Sequence, residues 1–198
     1  MTSTRFDAVI FDFDGTLVAS APAKRQAFFT IFPEACAAAV EAVLRDDPDG
    51  SRHVVIPRMI ASIRGQGIDL PDADYIARYG EESERAVAAA PELPGASNLL
   101  KRLSATTELH VCSNTPEETV RRHVATRGWQ RYFASVEGWP TKKRDRIAAV
   151  MASHRRVAMV GDGISDEEAA RANACAFFRI ERAEDLRRIG QSLEALDV

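Results

Sequence analysis

The chain has 198 residues, of which 45% are hydrophobic and 28% charged, and its formal net charge is −3. This composition is typical of a globular protein and excludes collagen-like and intrinsically disordered chains. A charge so close to neutral gives no support to nucleic-acid binding through an overall positive field. No apolar segment approaches the roughly 20 residues of a membrane span, and the first residues lack a signal-peptide pattern, so no membrane partner is expected.

The chain contains only three cysteines, Cys36, Cys112 and Cys175. They are dispersed along the sequence and do not form a metal-binding pair, which favours a reducing cytoplasmic location over a disulfide-stabilised secreted fold. The length suits one domain, or a core domain with a small appendage.

Short apolar segments followed by polar turns recur along the chain. The strongest are Ala8–Phe11, Leu109–Cys112 and Val157–Val160, and weaker ones lie at Ser135–Glu137 and Cys175–Ile180. Strands of this kind that alternate with helices predict a parallel sheet covered on both faces. The predicted fold class is therefore α/β, with a doubly wound, Rossmann-like sheet.

The segment 19–92 differs from the rest because it contains no convincing strand. Its pattern predicts helices at Pro22–Phe32, Glu34–Leu44, Pro57–Arg64 and Asp72–Ala90. A helical block directly after the first strand predicts an inserted subdomain, residues 19–92, within an α/β core formed by residues 1–18 and 93–198.

Three helix starts are indicated in the core. Thr115, followed by Pro116 and two glutamates, matches a capping box with proline at the first helical position, and Ser165 begins a second such box. Thr141 is expected to cap a helix that runs to about Ser153.

Polar side chains with related chemistry follow several of these strands. Parallel sheets place their binding sites beyond the carboxyl ends of the strands. The residues at those ends are Asp12, Asp14, Ser113, Asp162 and Asp166, with Lys142 and Lys143 after a fourth strand. Several carboxylates this close together require a cation among them, and oxygen ligands without His or Cys favour Mg²⁺. Lysine, hydroxyl and a helix N-terminus suit phosphate, so the sequence predicts Mg²⁺-dependent phosphoryl chemistry.

The same residues resemble the motifs of the haloacid dehalogenase (HAD) superfamily. The string FDFDGTL at residues 11–17 resembles motif I, and Ser113 in VCSNTP resembles motif II. The Lys142–Lys143 pair resembles motif III, and GDGISD at residues 161–166 resembles motif IV. The resemblance spans Ala8 to about Ile180 and is closest to phosphatases with a C1-type cap, such as the phosphoglycolate phosphatases, in which segment 19–92 corresponds to the cap.

The resemblance implies catalytic and metal-binding roles. It implies that Asp12 is the nucleophile that forms an aspartyl-phosphate, and that Asp14 is the general acid and base. It further implies that Asp12, the backbone carbonyl of Asp14 and Asp162 hold Mg²⁺, with Asp166 ligating or orienting. Thr16 is expected to form a hydrogen bond near Asp14.

The resemblance also implies groups that bind substrate. Ser113, Asn114 and one lysine are expected to bind the phosphoryl group, and the position of Ile147, four residues on, favours Lys143 over Lys142 as that lysine. In the cap, Lys24 and Arg25 are the best candidates for contact with an anionic substrate.

Asp14 bears on the type of reaction, because dehalogenases and phosphonatases of the superfamily lack a carboxylate there. Its presence favours a phosphomonoesterase that acts on a small phosphorylated metabolite, as a monomer or homodimer. A phosphomutase, which would return the phosphoryl group to the substrate, remains an alternative. A non-enzymatic phospho-acceptor resembling a receiver domain also uses acidic residues and Mg²⁺, but the order of the motifs argues against it.

Overall fold

The computed structural model describes residues 6–48 and 50–194. The chain divides into two compact units. One unit consists of the chain up to Ala19 together with the chain from Pro91 onward, and the other is the segment Ser20–Ala90. We call them the core and the insertion; the sequence predicted 19–92 for the insertion.

The insertion is helical. Its helices are α1 (Ala21–Thr30), α2 (Ala37–Asp46), α3 (Arg52–Gly65) and α4 (Tyr75–Ala89). Two aromatic pairs hold α1 and its C-terminal extension against α4, with the rings of Phe28 and Tyr79 stacked at 4.0 Å and those of Phe32 and Tyr75 at 4.8 Å. Such pairs are worth about 0.5–1.5 kcal/mol beyond the area they bury, so this unit has an apolar core of its own.

The predicted start of the third helix at Pro57 is wrong. The helix α3 begins at Arg52, because the Ser51 hydroxyl accepts a hydrogen bond from the His53 amide and caps the first turn. Pro57 lies inside the helix.

Across residues 6–48 and 50–194, no single helix is long and apolar enough to span a membrane. The segments Ala21–Thr30 and Glu34–Asp46 reach the required length and composition only when taken together, and they are bent by 113° relative to each other.

The core contains a five-stranded parallel sheet in the order β3-β2-β1-β4-β5. The strands are β1 (Ala8–Phe11), β2 (Glu108–Pro116), β3 (Ser135–Trp139), β4 (Val157–Gly161) and β5 (Ala176–Arg179). The four residues of β1 are completely buried in the middle of the sheet, as expected for a strand covered on both faces. The sheet continues from β1 in both directions, which confirms the predicted doubly wound, Rossmann-like α/β fold.

The core helices are α5 (Ala96–Leu103), α6 (Glu117–Thr126), α7 (Lys143–Met151), α8 (Ile164–Ala172) and α9 (Asp185–Glu194). Helices α5 and α9 are not among the elements predicted from the sequence. Both bury a stripe of large aliphatic residues, with Leu99 and Leu103 in α5 and Leu186 and Leu193 in α9.

The three predicted helix starts in the core are displaced. Helix α6 begins at Glu117 after an extended Pro116, so β2 continues through Thr115 and no capping box forms there. Helix α8 begins one residue before Ser165, and its N-cap is Gly163, whose amide donates to the Asp166 carboxylate at 3.1 Å. Helix α7 begins at Lys143 rather than directly after Thr141.

Candidate active site

Asp12 lies at the carboxyl end of the central strand, where the chain enters a tight turn. Its amide donates to the Val160 carbonyl at 2.9 Å, which fixes the first residue after β1 against β4. The turn is closed by the Gly15 amide donating to the Val18 carbonyl at 2.8 Å. Asp12 is only 6% exposed, so its carboxylate is held in a largely desolvated position.

Gly15 allows the turn that carries Asp12 and Asp14 to approach Asp162. Its φ of +82° lies in the left-handed region, and a β-carbon at this position would lie 2.1 Å from Asp162 Oδ2. Thr16, the next residue, donates from Oγ1 to Asp162 Oδ1 at 3.1 Å. The expected hydrogen bond of Thr16 near Asp14 is therefore replaced by one that orients Asp162.

Three carboxylates converge beyond the ends of β1 and β4. One oxygen from each of Asp12, Asp162 and Asp166 lies within 4.8 Å of the other two. Asp166 reaches this point from the first turn of α8 because Gly161 has no side chain. A β-carbon on residue 161 would lie 2.4 Å from the Asp166 carboxyl carbon.

Lys143 is the basic group of this cluster. Its Nζ lies 3.1 Å from Asp12 Oδ1 and 2.6 Å from Asp166 Oδ1, and the whole residue is buried. Lys142 is exposed at the N-cap of α7. Of the two lysines that the sequence left open, the structure places Lys143 beside Asp12.

Burial dominates the electrostatics of these groups. It raises the pKa of Asp12 well above its usual value, although Lys143 acts in the opposite direction. Burial also raises the pKa of Asp162, to about 6, and the nearby Asp166 carboxylate adds to the effect. Burial alone would lower the pKa of Lys143, but the carboxylates of Asp12 and Asp166 outweigh it and raise that pKa above its usual value. The single positive charge of Lys143 does not neutralise the three carboxylates of Asp12, Asp162 and Asp166.

The excess of negative charge and the chemistry of the ligand atoms both suit a divalent cation. Asp12, Asp162 and Asp166 offer only carboxylate oxygens, the hard ligands that Mg²⁺ prefers, with no His or Cys among them. A cation at this point would supply the positive charge that the cluster lacks.

The loop after β2 brings a second set of polar groups to the same edge of the sheet. Ser113 is buried, and its Oγ accepts a hydrogen bond from the Thr115 amide at 3.1 Å, whereas Asn114 is exposed. Thr115 is also buried, and its Oγ1 donates to Asp14 Oδ2 at 2.8 Å. Thr115 was not among the predicted site residues. Its position two residues after Ser113 and just before a helix indicates that it lies at the same edge of the sheet.

Arg127 is a second residue that the sequence analysis missed. Its guanidinium lies over the ring of Phe13, 5.7 Å from the centroid. Burial lowers the pKa of Arg127, and the carboxylates of Asp14 and Glu92 oppose that shift. Arg127 follows the last turn of α6 and belongs to no recognisable motif, so only the folded chain relates it to Asp14.

The two predicted substrate-binding residues of the insertion lie on α1. Arg25 is exposed and donates to both carboxylate oxygens of Glu41, at 2.8 and 2.7 Å, while Lys24 is partly buried. Both belong to the insertion, whereas Asp12 belongs to the core, and their role in substrate binding stays a prediction.

Residues 6–173 match the family model described as "Hydrolase: haloacid dehalogenase-like hydrolase". The match covers most of the chain and includes all of the converging side chains described above. The chain therefore belongs to the haloacid dehalogenase-like hydrolase family. No protein with a curated function matches it.

Solved structures share the fold. A HAD hydrolase from Bacillus subtilis bound to magnesium aligns with a TM-score of 0.68 and 15% identity, covering 94% of this chain and 99% of that one. A predicted phosphoglycolate phosphatase from Haemophilus somnus aligns with a TM-score of 0.65 and 19% identity, covering 89% and 85%. Protein Tyrosine Kinase A from Mycobacterium tuberculosis has 28% identity and a TM-score of 0.60, covering 89% and 84%.

Proposed function

We propose that this protein is a Mg²⁺-dependent phosphomonoester hydrolase that acts on a small phosphorylated metabolite through an aspartyl-phosphate on Asp12. The observation that carries the proposal is the position of the Lys143 ammonium, between Asp12 and Asp166 at the edge of the sheet where Asp162 also converges. This is an arrangement suited to a dianionic phosphoryl group and its metal ion.

In the first half of the reaction, a carboxylate oxygen of Asp12 attacks phosphorus in line with the leaving oxygen. The bond between phosphorus and that oxygen breaks, and the leaving oxygen takes the proton of Asp14. Thr115 holds the Asp14 carboxyl group in place through the 2.8 Å hydrogen bond. Lys143 and the Ser113 hydroxyl stabilise the charge that develops on the transferring group.

In the second half, water attacks the phosphorus of the aspartyl-phosphate and Asp14, now ionised, accepts a proton from it. The bond between phosphorus and Asp12 breaks, which releases inorganic phosphate and restores both carboxyl groups. When bound by Asp12, the Asp14 carbonyl and Asp162, Mg²⁺ supplies positive charge that offsets the phosphoryl oxygens. Asp166 orients Lys143 and the start of α8 through its contacts with Lys143 and Gly163.

A panel of phosphorylated metabolites assayed with Mg²⁺ tests this function. We expect release of one phosphate per alcohol formed, and loss of turnover with a chelator. An isomerised product without free phosphate would indicate a phosphomutase. A single phosphorylation of the chain by acetyl phosphate, without turnover, would indicate a phospho-acceptor. Either result would contradict the proposed hydrolase.

The kinase relative gives a second candidate function, phosphoryl transfer from ATP to tyrosine. It has the highest identity of the three structures compared, 28%. An assay with ATP and tyrosine-containing peptides distinguishes the two functions, because the proposed hydrolase yields free phosphate from monoesters and no phosphotyrosine.

Thr115→Val is expected to impair general acid catalysis by Asp14. The substitution removes the hydroxyl that donates to Asp14 and keeps the side-chain shape. We expect kcat for an alkyl phosphate to fall about tenfold or more. The loss should be much smaller for p-nitrophenyl phosphate, whose leaving group needs no proton. Thr115→Ser is the matched control and should retain most of the activity. Equal losses on both substrates would contradict a role of Thr115 in protonation of the leaving group by Asp14.

Lys24 and Arg25 are proposed to bind the anionic part of the substrate that is not transferred. Replacing both by Ala should raise KM for the physiological substrate about tenfold or more, since a lost charge-assisted hydrogen bond costs about 1.5–3 kcal/mol. The kinetics of p-nitrophenyl phosphate should not change. Steady-state kinetics on both substrates check this, and equal losses on the two would count against substrate recognition by these residues.

A further inference from the structure

A second cluster of metal-binding side chains lies at the other end of the core sheet. Glu108 and His110 belong to the first residues of β2, and His154 follows α7. The proposed catalytic groups lie at the carboxyl ends of the strands. At about 3.3 Å per residue, Glu108 is roughly 16 Å along the strand from Ser113. The cluster therefore belongs to a different site.

The spacing of the three side chains fits one metal ion. Glu108 Oε1 lies 3.2 Å from His110 Nε2, and Glu108 Oε2 lies 3.7 Å from His154 Nε2. One ligand atom from each residue lies within 4.8 Å of the other two. Ligands on a tetrahedral zinc ion, with bonds of about 2.0–2.1 Å, are separated by roughly 3.3 Å. Only small side-chain movements are needed to reach that geometry.

His110 provides an independent observation. The residue is 3% exposed, and within residues 6–48 and 50–194 its buried Nε2 makes no hydrogen bond of normal geometry, although Glu108 Oε1 lies 3.2 Å away. A buried polar atom left in this way is costly and calls for an explanation. The atom points toward Glu108 and His154, where a metal ion would satisfy it.

The other ring nitrogens are held as in metal-binding histidines. His154 Nδ1 lies 3.1 Å from the Val150 carbonyl and can donate to it, which leaves the lone pair on Nε2. His110 Nδ1 lies 2.9 Å from Ser135 Oγ and 3.0 Å from Arg146 Nη2, and these contacts hold the ring with Nε2 toward Glu108. Contacts of this kind fix the ring orientation of metal ligands.

The charges around His110 are compatible with a metal-binding imidazole. Arg146 approaches His110 Nδ1 at 3.0 Å, but its Nη1 is paired with Glu137 at 2.6 Å, and the Glu108 carboxylate lies on the other side of the ring. A metal ion on Nε2 would therefore lie on the Glu108 side of the ring, away from the Arg146 guanidinium.

We propose that Glu108, His110 and His154 form a zinc-type metal site that joins the start of β2 to the connection between α7 and β4. Two imidazoles and one carboxylate are a zinc ligand set, whereas Mg²⁺ prefers oxygen ligands alone. The Glu108 side chain is 47% exposed, which leaves room for a water molecule as the fourth ligand. The site stabilises the fold, because it crosslinks two segments that are distant in sequence.

Titration of the full chain with Zn²⁺ tests the proposal. The calorimetric titration is done in saturating Mg²⁺, which occupies the carboxylate cluster at Asp12. We expect about one Zn²⁺ per chain and, with Co²⁺ as a spectroscopic probe, the visible absorption of a tetrahedral site. Glu108→Gln and His154→Ala should each weaken Zn²⁺ binding at least about tenfold, in line with the loss of one ligand of three.

Matched substitutions away from the cluster serve as controls. Glu184→Gln and His53→Ala change exposed residues of the same types and should leave Zn²⁺ affinity unchanged. Zn²⁺ should raise the Tm of the unmodified chain and of both controls, but not that of His154→Ala, whose Tm without Zn²⁺ reports whether it has folded. Absence of Zn²⁺ binding in saturating Mg²⁺ would overturn the proposal. So would binding that His154→Ala leaves intact and that Asp162→Asn abolishes.

Discussion

Replacing Asp12 by Asn is expected to lower kcat for phosphomonoester hydrolysis by at least about 10³-fold, the scale seen when a nucleophile is removed. The amide keeps the shape of the side chain but cannot attack phosphorus. It also offers a weaker ligand to a cation at the cluster of Asp12, Asp162 and Asp166. Initial rates on the best substrate of the metabolite panel, with Asp145→Asn as an exposed control on α7, measure the effect.

The same variant should fold at least as stably as the unmodified chain when Mg²⁺ is absent. Burial opposes the charged form of Asp12 and raises its pKa, so the neutral amide relieves a cost of the folded state. Lys143 keeps Asp166 as its partner, at 2.6 Å. Thermal denaturation in a chelator distinguishes a lost nucleophile from a lost fold. Hydrolysis that survives this substitution unchanged would rule out Asp12 as the nucleophile.

Lys143→Met is expected to damage both stability and catalysis. It removes the Lys143 ammonium group, which lies between Asp12 and Asp166, and leaves two buried carboxylates without that ion-pair partner. Removing one partner of a buried ion pair lowers the free energy of unfolding by about 3–5 kcal/mol. Loss of a charge aimed at the transferring group lowers kcat by about 10²–10³-fold. Denaturant unfolding and steady-state kinetics measure the two effects separately.

Lys142→Met is the matched control, because the adjacent lysine is exposed at the N-cap of α7. It should leave both the free energy of unfolding and kcat close to those of the unmodified chain. High Mg²⁺ should restore part of the stability of Lys143→Met by supplying positive charge to the same carboxylates. If Lys142→Met lost activity and Lys143→Met kept it, the assignment of the phosphate-binding lysine would be reversed.

The sequence was sufficient to predict the sheet and the groups at its edge. Apolar strands that each end in Asp, Ser or Gly identify the carboxyl edge of a parallel sheet, and the spacing of Asp12 and Asp14 is specific. The choice between Lys142 and Lys143 depended on which face of α7 is buried, for which Ile147 gave a correct local indication of the buried face.

The rest of the site depends on tertiary geometry. The hydrogen bond from Thr115 to Asp14 joins residues 101 positions apart, and no local pattern specifies it. Thr115 had also been interpreted as a helix cap, a role that small hydroxyl residues before glutamates often have. Arg127 lies near Asp14 because of the course of α6 in the fold, and no spacing of residues in the sequence predicts this proximity.

Errors in the helices have local causes. The sequence pattern predicts the third helix only from about Pro57, and proline disfavours helix interiors, but the Ser51 cap and four buried apolar residues stabilise α3 from Arg52 onward. In α9, Leu186, Ile189 and Leu193 repeat at helical spacing, a pattern that is sufficient to predict this helix from the sequence.

The position of β1 in the middle of the sheet has a consequence for the order in which the protein folds. On one side β1 pairs with β2, about 100 residues later in the chain, and on the other with β4, about 150 residues later. During synthesis β1 therefore emerges long before either of its neighbouring strands. It stays without its sheet partners until most of the chain has been made, and such long-range pairing slows folding. A strand as apolar as Ala8–Phe11 is exposed to misassociation throughout that interval.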